Sequence, residues 1–486
     1  MNKTKKVRDM SPDAPPGLGE NLGFMFGAGA SGILQFLFSA VLLVYYTQVV
    51  HVNPAVAASV IAVSKIFDGI SDIAMGWVIE HSNSPRGKVR PWLLRAIIPT
   101  VICLLLCFWQ PAGLAGTAQI VYMFVTYNLG VTVCYTVIWV SEQSLIGYMT
   151  LNAKSRSLIG GMHMIGTNII ANILVSSLYL PLSTAFGGGT PYTQKGFTML
   201  ILFYMAVYAV FTGICYLVCK ERVSDAQLKA AQAASDISNT AGATKVSTTE
   251  IVKSLLTNKY VIICVLINML VYFLMAASTT STLTYYAQYV LGNLDLQASL
   301  TSINTLAMLV GLIATLGIVA KLGKRRTLLA GAIVLVIGYF LPLISTTTIV
   351  LTVGAVLRGI GFGLSGVPVG SILQDALTYG LWRDGFSSIG MGNATCSFAN
   401  KVGTALGTAV LGFILDAGGF DGALAVQPPA AVSAISTAFI ILPGIICIGI
   451  GVLAAVYDLD KKYAPMEAAI KEGKIGPHRD ENLFTR

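Results

Sequence analysis

The run from Val56 to Ile79, VAASVIAVSKIFDGISDIAMGWVI, decides the fold because it is long and apolar enough to cross a bilayer. Asp68 and Asp72 lie within it, although an unpaired charge at the bilayer centre costs at least ~2.5 kcal/mol. Their i,i+4 spacing places both carboxylates on one face of a helix, with Lys65 one turn earlier and Ser71 beside them. This arrangement is expected of a small-cation site in a membrane helix.

The composition is typical of a membrane protein with many spanning segments. Of the 486 residues, 55% are hydrophobic and only 11% are charged, whereas a soluble domain carries about a quarter of its residues as Asp, Glu, Lys and Arg. The net charge of +9 is collected in short connecting segments, so nucleic acid is not an expected partner. The predicted partners are membrane lipid, a small-molecule substrate and a coupling cation, and no cofactor is expected.

Apolar runs of the length that a membrane helix requires, about 20 residues, recur about twelve times. The β alternation of outer-membrane barrels is not seen, so the predicted fold class is an all-α membrane protein with twelve transmembrane helices. The predicted spans are 22–48, 55–80, 93–113, 118–146, 157–182, 197–219, 259–289, 297–320, 327–346, 348–374, 386–415 and 431–456.

The longest polar interruption divides the chain into two six-helix halves. A glycine and basic cluster follows the second span of each half, PRGKVR at 85–90 and KLGKRR at 321–326. This recurrence indicates duplicated halves, with the substrate site near the midplane between them. The predicted organisation is a cytoplasmic tail at 1–21, a six-helix bundle at 22–219, a cytoplasmic loop at 220–258, a second bundle at 259–456 and a cytoplasmic tail at 457–486.

The distribution of lysine and arginine predicts the orientation. The N-terminal tail, the connections at 81–92, 147–156 and 321–326, the central loop and the C-terminal tail are all basic, whereas the alternate connections carry only Lys195. By the positive-inside rule, both termini are expected to be cytoplasmic in a multi-pass protein of the cell membrane. The first apolar run is long and continuous with the fold, so no cleaved signal peptide is expected.

Two interpretations of the acidic pair remain open. Asp68 and Asp72 form either a structural ion pair with a basic neighbour such as Lys65, or a site for Na⁺ or H⁺. Hard cations take oxygen ligands, and the hydroxyl groups of Ser71 and Thr136 supply two more. We therefore predict a cation site at Asp68, Asp72, Ser71 and Thr136.

The other ionisable residues in the spans allow several roles. Lys401, beside Asn400, lies halfway along the eleventh span, where it either faces a substrate cavity or extends towards an interface. The glycine-rich sequence after it predicts tight helix packing. Arg358 either pairs with an acid or points to substrate.

Further polar residues lie near the cytoplasmic ends of the spans. Glu142, with Gln143 and His163, is as consistent with a solvated or gating position as with a ligand. Arg383 and Asp384 are expected to make gating contacts between the halves.

Aromatic residues in the fourth span allow sugar stacking as well as ordinary packing. Trp139 lies one turn from Thr136, with Tyr135 beside it. Both are candidates for substrate contact, although aromatic belts and helix packing use the same residue types.

At this point the sequence resembles the glycoside-pentoside-hexuronide cation symporters of the major facilitator superfamily. The resemblance rests on Tyr45–Val50, Lys65–Trp77, Arg86–Trp92 and Asn400–Gly403, and it extends over most of the chain. It implies cation-coupled sugar symport by alternating access. It also implies cation binding at Asp68, Asp72 and Thr136, with Ser71 in place of the family's asparagine, and it implies functional roles for Lys401 and Lys65.

The departures from the family pattern concern the substrate. Measured against melibiose permease-like members, Gly32 and Trp139 stand where sugar-binding aspartates are expected, and Gln143 stands where the stacking tryptophan is expected. A pocket with Lys401 and fewer carboxylates favours an anionic solute such as a uronide or sulfosugar. A lysolipid carrier and a non-transporting sensor remain alternatives. An enzyme is not expected, because no Ser/His/Asp set, histidine-rich metal cluster or nucleotide loop is visible.

Overall fold

The computed structural model describes residues 11–224, 227 and 247–476, apart from 83, 85, 112, 279, 387 and 473. Parts of the predicted tails and most of the central loop therefore lie outside the described residues. Twelve long helices, which we number in chain order, contain most of the described residues. They are α1 Leu18–Gln48, α2 Pro54–Glu80, α3 Arg90–Cys107, α4 Gly116–Met149, α5 Leu158–Phe186, α6 Gln194–Val218, α7 Lys259–Val290, α8 Leu296–Leu322, α9 Lys324–Leu343, α10 Thr348–Asp384, α11 Met391–Ala417 and α12 Pro429–Val456.

Eleven of these helices are long and apolar enough to cross a membrane. The other one, α2, has 27 residues and carries Lys65, Asp68 and Asp72 in its apolar sequence. No β-strand occurs in the part of the chain that the structure describes. The predicted all-α fold with twelve membrane helices is confirmed.

The end of the tenth span was predicted wrongly. The apolar run ends near residue 374, but α10 continues to Asp384 before Gly385 takes a left-handed conformation with φ of 81°. Glycine adopts this conformation without a steric penalty and commonly terminates helices. Hydropathy marks the membrane-embedded part of a helix, whereas the capping residue marks its end.

The described chain forms two compact units. The first contains the residues up to Phe38 together with the chain from Phe67 through α6, and the second contains Ser39–Ile66 together with the chain from Ser247 onward. In the first unit, α1 packs on α5 and α6, and α3 packs on α4 and α6. In the second unit, α7 packs on α11 and α12, and α9 packs on α10 and α12. The same pairs of helices therefore meet within each unit.

Glycine allows the closest helix contacts in both units. A Cβ atom on Gly166 of α5 would overlap the carbonyl oxygen of Met25 on α1. Likewise, a Cβ atom on Gly403 of α11 would overlap the carbonyl oxygen of Met269 on α7. The tight packing predicted for the sequence after Lys401 is confirmed.

A partly buried connection in the first unit fixes the start of α3. The Glu221 carboxylate, after α6, accepts the backbone N–H groups of Lys88, Val89 and Arg90 at 2.7, 3.0 and 2.8 Å. The Arg90 guanidinium in turn donates to the carbonyl oxygen of Tyr216. An acceptor at this position binds the N–H groups that the first turn of a helix leaves without partners.

The second unit repeats this connection at the start of α9. The Asp460 carboxylate accepts the backbone N–H of Arg325 at 2.7 Å, and the Arg325 guanidinium donates to the carbonyl oxygen of Ala455. Asp460 follows Ala455 by five residues, as Glu221 follows Tyr216. The two sequence clusters thus occupy matching structural positions, as duplicated halves would.

Candidate functional site

Two polar residues on α4 face two carboxylates on α2. Thr132 Oγ1 donates to Asp68 Oδ1 at 2.9 Å, and Thr136 Oγ1 donates to Asp72 Oδ1 at 3.3 Å. The two aspartates are four residues apart on α2, and the two threonines are four residues apart on α4. One turn of α2 therefore faces one turn of α4. Asp68 is 8% exposed, and its carboxylate is therefore held in a largely dry environment.

Ser71 and Thr136 connect the two hydrogen-bonded aspartate–threonine pairs. The Ser71 hydroxyl lies 3.1 Å from the Thr136 hydroxyl and donates to the carbonyl oxygen of Asp68 at 3.0 Å. The structure thus brings together Asp68, Asp72, Ser71 and Thr136, the four residues predicted for the cation site. We call this group, with Thr132, the carboxylate–hydroxyl site.

Thr132 was not predicted, although the sequence contained a signal for it. Asn128, Thr132 and Thr136 recur every four residues, and Thr132 also donates to Asn128 Oδ1 at 3.1 Å. The segment Leu129–Tyr135 is a π-helical turn within α4, a feature that occurs frequently at functional sites. A polar i,i+4 series within an apolar helix therefore indicates which face of α4 is turned towards the carboxylates of α2.

The donor atoms of this site are all oxygens, from two carboxylates and three hydroxyl groups. Hard cations such as Na⁺ take such ligands, and carboxylates also bind protons. Among the described residues, no group of three or more His, Cys, Asp or Glu side chains is placed to hold a metal ion, so any cation here would depend on hydroxyl oxygens as well as the two carboxylates. The eight cysteines are thiols, and seven of them are buried, consistent with packing.

A second polar cluster, centred on His163 of α5, lies in the first unit. His163 Nε2 lies 3.5 Å from Glu142 Oε1 and 2.9 Å from Gln143 Nε2. The edge of the imidazole contacts the Trp139 ring at a centroid distance of 5.5 Å. Glu142 is 1% exposed, which excludes the solvated position among the alternatives for this residue and leaves the gating and ligand roles open. The helices α1 and α5 pack against this end of α4 and exclude water from the carboxylate.

The candidate aromatic residues belong to the same part of α4. Trp139 stacks on Tyr135 with an interplanar angle of 29° and a centroid distance of 6.0 Å. Both rings are partly exposed, and so is Gln143. They combine apolar surface with hydrogen-bonding capacity, as a sugar site requires.

The structure assigns Gly32 to helix packing. A Cβ atom there would stand 2.6 Å from Ala171 Cβ and 2.7 Å from the carbonyl oxygen of Thr167. The position where the family resemblance predicted a substrate contact therefore has no room for a side chain, because α1 and α5 meet there. This corrects the expected substrate-binding role of Gly32.

The second unit holds two of the predicted cations in different surroundings. Lys401 and Asn400 are partly buried on α11. Arg358 is 5% exposed and lies over the rings of Tyr339 and Phe439, at 5.5 and 5.0 Å from their centroids. Within the described chain no carboxylate lies within 4 Å of Arg358, so aromatic rings rather than an acid stabilise its charge.

The predicted gating residues Arg383 and Asp384 make contacts within the second unit. Arg383 and Asp384 pair at 2.7 Å and also bind the short helix Thr248–Thr257. Arg383 Nη2 donates to the carbonyl oxygen of Ser254, and Asp384 Oδ2 accepts the Ser254 hydroxyl. These contacts fasten α10 to the segment before α7. Lys65 is partly buried on α2, one turn before Asp68.

Duplicated six-helix halves, glycine-mediated helix crossings and an oxygen-only site in a membrane helix define a secondary membrane transporter. The chain matches the family described as MFS/sugar transport protein over residues 23–461. It belongs to this family.

Individual relatives are similar in sequence to this chain over nearly its whole length. The isoprimeverose transporter of Lactiplantibacillus pentosus is 27% identical over 470 residues, 96% of this chain and 93% of the relative. A glucuronide carrier protein homolog of Escherichia coli (strain K12) is 27% identical over 461 residues, 93% of this chain and 95% of the relative. The fold is similar to that of the xylose transporter XylE from E. coli in a partially occluded inward open conformation, with a TM-score of 0.58, 14% identity and coverage of 91% and 98% of the two chains.

These matches confirm the predicted membership of the glycoside-pentoside-hexuronide symporters within the major facilitator superfamily. The protein is a multi-pass membrane transporter of the sugar-transport class, and its family does not consist of enzymes.

Proposed function

We propose that the protein carries out cation-coupled symport of a glycoside or hexuronide, with Na⁺ or H⁺ as the coupling ion. The observation that carries the proposal is the carboxylate–hydroxyl site, in which Thr132 and Thr136 donate to Asp68 and Asp72. Carboxylate and hydroxyl oxygens that meet in an apolar helix are the ligands that Na⁺ takes, and carboxylates also bind protons. Cation binding would therefore stabilise the form of the protein that also binds substrate.

Coupling between the two ligands follows from thermodynamic linkage. If the cation raises the affinity for substrate by a given factor, typically about 5- to 150-fold, then substrate raises the affinity for the cation equally. Neither ligand then crosses efficiently alone. We further propose a cell-membrane location with both termini in the cytoplasm, based on the positions of the basic connections.

The substrate class follows from the residues that remain available for contact. We propose Trp139, Tyr135 and Gln143 as the sugar contacts of the first unit, and Lys401 with Asn400 as those of the second unit. Lys401 favours a substrate with an anionic or electron-rich oxygen, such as a hexuronide. Gly32 contributes no side chain, and Trp139 replaces a second aspartate, so galactosides that depend on those carboxylates are disfavoured.

Uptake into membrane vesicles tests this proposal. We expect a glucuronide or a pentose-containing disaccharide to accumulate when an inward Na⁺ or H⁺ gradient is imposed, and a galactoside to accumulate much less. The same vesicles without an ion gradient provide the control. Equal transport of all substrates without a gradient would contradict coupled symport, and galactoside uptake equal to that of the uronide would contradict the assigned substrate class.

Thr132→Val is expected to raise the cation concentration required for half-maximal uptake about tenfold or more. A hydrogen bond to a charged group is worth about 1.5–3 kcal/mol, and valine keeps the shape of threonine while removing the hydroxyl that binds Asp68. The measurement is initial uptake rate at varied cation concentration and fixed substrate concentration.

The control for this variant is Thr126→Val on the same helix. The Thr126 hydroxyl donates to the backbone carbonyl oxygens of Tyr122 and Met123, and Thr126 is buried. Its loss should leave the cation dependence unchanged. A cation requirement that is the same in both variants and in the original protein would remove Thr132 from the site.

A further inference from the structure

Glu142 is a buried acid that the carboxylate–hydroxyl site does not use. Its side chain is 1% exposed, and within the described residues neither carboxylate oxygen has a hydrogen-bond partner. An ionised carboxylate in this condition would lose its hydration without replacement, which costs several kcal/mol. A carboxyl group at this position therefore requires either a proton of its own or a cation beside it.

His163 is the ionisable group nearest to that carboxyl. Its Nε2 atom lies 3.5 Å from Glu142 Oε1, on the neighbouring helix α5. A proton on Glu142 leaves the imidazole neutral, and a proton on Nε2 makes the two side chains an ion pair. In either arrangement, one proton leaves the pair without net charge.

Gln143 senses which of the two groups carries the proton. Its amide Nε2 lies 2.9 Å from His163 Nε2 and can donate to it only while that nitrogen carries no proton. A proton on Nε2 would instead require the amide oxygen to face the histidine. Protonation therefore selects whether Gln143 presents its oxygen or its amino group away from His163.

The other charged and titratable groups on the helices around Glu142 have partners of their own. Glu20 of α1 pairs with Arg222, and Arg90 of α3 donates to the carbonyl oxygen of Tyr216. Cys215 of α6 lies near Glu142 as a buried thiol. His163 remains the only group, among those described, within 4 Å that can share charge with Glu142.

We propose that Glu142 and His163 together form a proton-binding site, separate from the carboxylate–hydroxyl site, in which the position of the proton sets the hydrogen-bonding polarity of Gln143. Glu142 follows Thr136 by six residues on α4, roughly 9 Å along the helix axis. The two sites therefore share no residue. This inference depends neither on the identity of the substrate nor on the cation that binds at Asp68.

Infrared difference spectroscopy of the purified full-length protein in lipid nanodiscs tests the site directly, with the proton itself as the ligand. A protonated carboxyl group gives a C=O stretching band that is separate from the bands of ionised carboxylates and shifts in heavy water. We expect the original protein to show this band at neutral pH and to lose it during an alkaline titration. In Glu142→Gln the contribution of Glu142 to this band should be absent, whereas any contribution from Asp68 or Asp72 should remain.

Two further variants make the outcome specific. In Asp375→Asn the band should be unchanged, because Asp375 is a comparably buried acid that already pairs with Lys324 at 2.6 Å. In His163→Gln the Glu142 band should persist but titrate at lower pH, since the proton then has only one position to occupy instead of two. A C=O band of unchanged intensity in Glu142→Gln would overturn the proposed site, and a titration unmoved in His163→Gln would overturn the sharing of the proton.

Discussion

Asp68→Asn is expected to abolish cation-stimulated uptake while leaving the protein in the membrane. Asparagine has the shape of aspartate, and its side-chain oxygen can still accept the hydroxyl of Thr132, so the contact between α2 and α4 is preserved. What disappears is the negative charge that binds the cation. The stimulation of uptake by cation, about 5- to 150-fold in a typically coupled system, should fall to none.

Asp72→Asn should have a weaker effect. Asp72 is more exposed than Asp68, and its bond from Thr136 is longer, at 3.3 Å against 2.9 Å. A cation held by both carboxylates would therefore lose more stabilisation when the drier one is neutralised, because charge interactions are stronger where water is excluded. We expect Asp72→Asn to retain uptake at raised cation concentration.

Asp295→Asn provides the control for both variants. Asp295 is exposed just before α8, outside the proposed site. Uptake rates are compared at equal amounts of protein in the membrane, with and without the imposed ion gradient. If uptake by Asp68→Asn kept its original dependence on the cation, the carboxylate–hydroxyl site would be a structural ion-binding or hydrogen-bonded group and not the coupling site.

The sequence allowed prediction of those features that repeat along one helix. Asp68 and Asp72 share a face because they are four residues apart, and the structure places Ser71 and Thr136 next to them. The number of membrane helices followed from the length of the apolar runs. The duplication followed from two glycine and basic clusters, which occupy matching positions at the starts of α3 and α9.

Features that depend on contacts between helices could not be predicted in this way. The sequence left Glu142, near the end of α4, open to a solvated, gating or ligand position, but α1 and α5 pack on this helix and the residue is buried. Gly32 was assigned a substrate role from the family pattern, yet only the crossing of α1 with α5 shows that it packs against Thr167. The sequence of a single helix carries no information about which other helix crosses it at a given glycine.

Glu20→Gln is expected to destabilise the protein by about 3–5 kcal/mol, the cost of breaking a buried ion pair by removing one partner. Glu20 Oε2 and Arg222 Nη2 are 2.5 Å apart, with side chains 0% and 1% exposed. Arg222 also donates to the carbonyl oxygen of Met149, so this guanidinium connects the ends of α1, α4 and α6. Without Glu20, the charge of Arg222 would remain buried and only partly satisfied.

Thermal unfolding in detergent, followed with a thiol-reactive fluorophore, measures this effect. Seven of the eight cysteines are buried, so their labelling reports the loss of helix packing. Glu472→Gln is the matched control, because Glu472 and Lys474 pair at 2.7 Å with side chains 60% and 55% exposed. Such a surface pair is worth about 0–1 kcal/mol, and its loss should barely move the midpoint.

A double variant separates the pair from its individual charges. In Glu20→Gln with Arg222→Met, neither side chain leaves an uncompensated charge in the interior, so part of the lost stability should return. If the double variant were instead less stable than Glu20→Gln alone, Arg222 would stabilise the fold through its hydrogen bonds to backbone carbonyl groups and not through its charge. An unchanged midpoint in Glu20→Gln would mean that water or another group compensates Arg222 at this end of α1.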